Sequence, residues 1–92
     1  MYIFSARLTF WIDHAASLKD KRQVSRSLID QTRHRFNASV AEVDAQDICQ
    51  TLIIGVAVVS GEAAHARHVL DGIVRFMEER ADAELTSVEY DA

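Results

Sequence analysis

Ninety-two residues make one small domain and are too few for two. With 49% hydrophobic residues a modest core is within reach, while a formal charge of -4 argues against a general nucleic-acid binder, which carries a net positive field. One cysteine, Cys49, excludes an internal disulfide and fits a reducing compartment, so a cytoplasmic location is expected.

From the N-terminus, Tyr2 to Asp13 alternates strictly. Tyr2, Phe4, Ala6, Leu8, Phe10 and Ile12 form an apolar face, with Ile3, Ser5, Arg7, Thr9, Trp11 and Asp13 on the other. That pattern predicts a strand with one face on a core, and Arg7 in mid-run is unlike a signal peptide. Ser17 opens a helix, with Asp20 three residues on completing a variant capping box. Leu18, Ser25, Leu28, Ile29, Thr32 and Phe36 share one side of it, with Val24 at the edge. Asn37 ends the helix, and Ser39 to Asp44 reads as a second strand.

A turn through Ala45 and Gln46 leads to a third strand, Cys49 to Val59. Its TLIIGVAVV is apolar on both faces, which predicts a central strand covered on each side. The apolar run Leu52 to Val59 is far too short to cross a bilayer, and no membrane association is expected. Ser60 and Gly61 begin a second helix, with Glu62 near its positive end and Ala66, Val69, Leu70, Ile73, Phe76 and Met77 on its apolar face. Leu85 to Asp91 is a final strand whose flanking acids, Glu84, Glu89 and Asp91, mark it as an edge.

The order strand–helix–strand–strand–helix–strand predicts an α+β, ferredoxin-like sandwich. In it a four-stranded antiparallel sheet carries both helices on one face, and the first and third strands are central. The other sheet face then exposes Ile3 and Trp11 or part of the third strand's aliphatic row. That is more apolar surface than a free monomer commonly shows, so a homodimer through this face or an edge is expected.

Six of the ten Lys and Arg residues lie between Ser17 and Phe36, opposed there only by Asp20 and Asp30. Lys19, Arg22, Arg26 and Arg33, spaced three, four and seven apart, fall on one stripe. Cations in a first turn oppose the helix dipole by about 0.3–1 kcal/mol each. Broken local rules tend to coincide with function. Ser17, the free N–H groups behind it and this stripe therefore form a candidate anion- or partner-binding surface. Lys21 instead projects to the apolar side, where it must snorkel or meet a carboxylate.

Other constellations are weaker. Glu42 and Asp44 are expected on one strand face with Asp47 just beyond the turn, a weak candidate set for Mg²⁺; organising the turn is the favoured role of the two aspartates. His65 and His68 stand one helical turn apart without a third ligand at a diagnostic spacing. Cys49 reads as a small core residue with no adjacent base. No catalytic residue, metal or cofactor is assigned. An RNA-recognition-motif reading fails because such domains stack bases on aromatics of the central strands, and the third strand here has none.

The blocks SLKDKR, FNASVAEVDAQD and IIGVAVVS together resemble the YlxP-like family, a bacterial domain family of unassigned function (domain of unknown function 503). The resemblance spans Tyr2 to about Tyr90 and implies the ferredoxin-like fold reached above. Family members are often encoded beside translation and ribosome-maturation factors, which implies a setting near RNA or the ribosome. Where members commonly carry an aromatic after the QD pair, this chain has Ile48 and Cys49.

The resulting expectation is a small non-enzymatic interaction module whose basic first helix meets RNA phosphates, the ribosome or an acidic protein. The alternatives are a small-ligand binder or enzyme, with a pocket on the open sheet face near Trp11, Glu42 and Asp44, and an accessory protein of one specific enzyme.

Overall fold

Alternation in the first twelve residues dictates the first layer of the structure. The computed structural model describes residues 1–91. Its elements are β1 (Tyr2–Trp11), α1 (Leu18–Arg35), β2 (Ser39–Asp44), β3 (Thr51–Ser60), α2 (Ala63–Arg80) and β4 (Glu84–Asp91). They form one sheet in the order β2-β3-β1-β4 with every neighbouring pair antiparallel, the ferredoxin-like arrangement. Leu8, Phe10, Leu52 and Ile54 project from the central strands onto Leu28 of α1 and Ile73 and Met77 of α2, and none of these is more than 1% exposed. Each such side chain contributes about 1.5–3 kcal/mol of burial free energy.

The helix ends follow local chemistry. Ser17 Oγ accepts from the Asp20 N–H at 3.2 Å, and Asp20 Oδ2 accepts from the Ala16 N–H at 2.9 Å. Two orphan donors are thus satisfied reciprocally, one position further back than in a standard capping box. α1 stops without glycine: Phe36 turns extended and sets its ring edge-on to Phe76, centroids 5.3 Å apart. Arg80, one turn further along α2, stacks on the same ring 4.8 Å from the Phe76 centroid, while Arg35 reaches it from α1 at 5.8 Å. Glu62, not Ser60 or Gly61, is the cap residue of α2, with Ser60 Oγ accepting its N–H at 3.1 Å.

Three expectations change. β3 is covered on one face only: Leu52, Ile54, Val56 and Val58 are buried, while Val59 is 62% exposed and Ile53 and Ala57 are half-exposed. Both helices lie on the other side, so the aliphatic run does not signal two covered faces. Cys49 precedes the strand, in the loop before Thr51, where it is half-buried with Sγ 3.8 Å from Ala15 O. β1 ends at Trp11, although Ile12 stays fully buried and its N–H donates to Gln50 O at 2.8 Å.

Candidate functional site

At about 100° per residue, Arg22, Arg33, Arg26 and Lys19 fall within about 60° of one another and run about 21 Å along α1. All four are exposed. Among the described residues only two contacts of 4.0 Å or less join a basic group to a carboxylate: His14 Nε2 to Asp82 Oδ2 at 3.3 Å and Lys21 Nζ to Glu42 Oε2 at 2.8 Å. None of the four stripe residues is neutralised in this way. Arg33 Nη2 donates to Val40 O at 2.7 Å, which fixes that end of the stripe beside the edge strand β2 and covers one of its carbonyls. Arg35 belongs to a different surface, 5.8 Å from the Phe76 centroid.

Lys21, one residue from Arg22, has the opposite fate. It is 2% exposed. Its ammonium donates to Ala45 O at 2.6 Å and Ile48 O at 2.8 Å, and faces Glu42 Oε2 as an ion pair rather than along an aligned hydrogen bond. The clamp holds the β2–β3 loop, where Ala45 takes a left-handed φ of 55°. A β-branched residue would strain there.

The acids do not converge as expected. Glu42 and Asp44 do not share a strand face, because a register shift between them lets Glu42 pair with Ile54 and Asp44 with Ile53. Glu42 therefore turns to the helix side and Lys21, while Asp44 Oδ1 accepts the Ala45 N–H at 2.8 Å. Asp47 is exposed in the loop. Among the described residues no three His, Cys, Asp or Glu side chains are placed to hold a metal ion. His65 and His68 both face solvent, as do His14 and His34.

The open sheet face carries a concavity away from Trp11, Glu42 and Asp44, while a smaller hollow of about 290 Å³ borders Trp11, Asp13 and Glu84 without reaching Glu42 or Asp44. Strand register explains its position. Ser39, Ala57, Ser5 and Asp91 form one row across the sheet, and Ala41, Gly55, Arg7 and Glu89 form the next. Small side chains in these rows leave a hollow of about 970 Å³, also bordered by Arg33. Bulkier rows rise on both sides, Ile3 with Val59 at one end and Ile53 and Trp11 towards the other. Glycine lets Val43 lean over the floor, since a Cβ at Gly55 would stand 2.8 Å from Val43 Cγ1 and push that exposed side chain aside. A lone glycine inside an aliphatic strand was the one sequence signal for this hollow; Arg7 opposite it went unread as a site residue.

The sequence matches a family model described as "Protein of unknown function (DUF503)" over residues 3–90. It is similar to the uncharacterized protein YlxP of Bacillus subtilis strain 168, 31% identical over 72 residues that cover 78% of each chain. Among solved structures it is similar to the de novo designed protein Ferredog-Diesel, 9% identical with a TM-score of 0.45 over 96% of this chain and 84% of that one.

Proposed function

The chain belongs to the YlxP-like DUF503 family of proteins of unknown function, and on that premise we propose that it is a small non-enzymatic interaction module whose first helix docks on RNA phosphates. One observation carries this reading: among the described residues Lys19, Arg22, Arg26 and Arg33 stand exposed along one flank with no carboxylate within 4.0 Å, Asp30 being the acid interleaved on that flank, while Lys21, which does meet a carboxylate, is buried. Three of the four are arginines, whose planar donor forks match phosphate oxygens better than an ammonium does. The stripe is local: four cations face the single acid Asp30 on that flank, and beyond about 8–10 Å salt screens the acids elsewhere on the surface, so the net charge of -4 does not cancel it.

Recognition here is by backbone charge. The exposed indole of Trp11 lies on the open sheet face, away from the helix layer, so bases have no aromatic platform beside the stripe.

The test is RNA affinity against salt concentration. Four phosphate contacts on a single strand give a log–log slope of about -3. Replacing Lys19, Arg22, Arg26 and Arg33 together with alanine should remove the slope and the binding. Binding that survives the quadruple replacement sinks the proposal, and capture of an acidic protein with no RNA replaces it by a protein-docking role for the same flank.

A further inference from the structure

We propose that a second copy of this chain covers the open sheet face, related to the first by a two-fold axis running along the strands. This does not rest on the RNA reading: Lys19, Arg22 and Arg26 sit on α1, in the helix layer on the other side of the sheet, and Arg33 alone, at the end of that stripe, also borders the open face.

The charge layout selects the partner. Across the sheet in the order β2-β3-β1-β4, one border of the hollow is basic, with Arg33 beside Ser39, and the other is acidic, with Glu89 and Asp91 on β4. A two-fold along the strands lays β4 of one protomer over β2 of the other. Asp91 and Ser39 share a row, so Asp91 comes over the partner copy's Ser39, next to its Arg33, and the pairing repeats by symmetry. An axis across the strands would instead stack β4 on β4 and set acid against acid.

Size and shape agree. The same operation lays β1 over β3, so Ile3, 58% exposed, meets the partner copy's Val59, 62% exposed, and this contact also occurs twice. Arg7 lies opposite the other protomer's Gly55 floor, with Glu89 beside it in the same row as its cross-strand neighbour. Each Arg7 side chain thus enters the other protomer's hollow and occupies part of it. Strands of 10, 6, 10 and 8 residues present about 500 Å² of face at about 3.3 Å per residue and about 4.8 Å between strands. Two such faces come to about 1,000 Å², the lower bound for a specific interface, so the dimer is reversible rather than permanent.

Sedimentation equilibrium of the full chain, from micromolar to millimolar protein and without RNA, tests this. The wild type should show a concentration-dependent dimer. Ala57→Arg, which sets a bulky charge in the hollow, should leave a monomer with unchanged circular dichroism and thermal midpoint. Arg33→Asp and Asp91→Arg should each weaken dimerisation about tenfold, and the double swap should restore it to within about threefold. The triple change Lys19→Ala, Arg22→Ala, Arg26→Ala should leave dimerisation alone, which separates this inference from RNA docking. A chain that remains monomeric at every concentration overturns the proposal. A dimer indifferent to Ala57→Arg, or a double swap that does not recover association, overturns it equally.

Discussion

On the inner flank of α1, Lys21 is 2% exposed, its ammonium held between Glu42 and two loop carbonyls; on the outer flank Lys19, Arg22 and Arg26 stand in solvent with no carboxylate of the chain against them. Residues of the same chemical type, adjacent in sequence, have come under different physics through a rotation of about 100° about the helix axis. Inside, the charge has lost its water and is tolerable only because every partner is in place. Outside, the charges keep their water and contribute little to stability, which leaves them available to another molecule. A basic helix is therefore not a uniform surface, and α1 divides its cations between holding a loop and presenting a charged track.

The sharpest way to break that comparison is to remove the inner cation. Lys21→Met leaves Glu42 without its counter-ion and strips a donor from both Ala45 O and Ile48 O. It should destabilise the domain by about 3–5 kcal/mol and lower the thermal midpoint by more than about 12 °C. Urea unfolding reads the loss directly, and a change within about 1 kcal/mol would mean that the clamp does not hold the loop. Adding Glu42→Leu to Lys21→Met should recover a large part of the loss, since an apolar pair of similar size no longer buries a lone charge.

A smaller effect belongs to the helix start, which both flanks share. Ser17→Ala removes the acceptor for the Asp20 N–H and should lower stability by about 1 kcal/mol in the same unfolding experiment. The smallest effect has the opposite sign. Lys19→Ala with Arg22→Ala relieves cations that oppose the helix dipole, so stability should hold or rise by a few tenths of a kcal/mol, roughly, while RNA affinity falls. A marked loss of stability there would show that the outer cations are structural, and the contrast between the flanks would collapse.

Much of this molecule was legible in particular residues. The alternation of Tyr2–Ile12 specified β1 and its inward face, because a strand with one covered face has period two. Ser17 and Asp20 marked the start of α1, and the inward projection of Lys21 followed from helical spacing, which left it to snorkel or meet a carboxylate; it meets Glu42. What misled was β3. Its unbroken aliphatic run predicted cover on both faces, whereas Ile53, Ala57 and Val59 look outward from a sheet with helices on one side only. The placing of Glu42 beside Asp44 failed for a different reason. Strict alternation assumes unbroken pairing, and one register shift sends Glu42 to the helix side.

By itself the sequence determined which segments become strands and helices, where α1 begins, and that four cations share one of its flanks, because these depend on spacings of a few residues along one element. Tertiary structure alone decided that Glu42 is the partner of Lys21, that Arg33 reaches Val40 O, and that Ser5, Ala57 and Gly55 line up beside Arg7 to leave a hollow. These depend on the register between strands and on a bulge, and such distances across the sheet come from the sum of many weak contacts throughout the chain rather than from any local pattern.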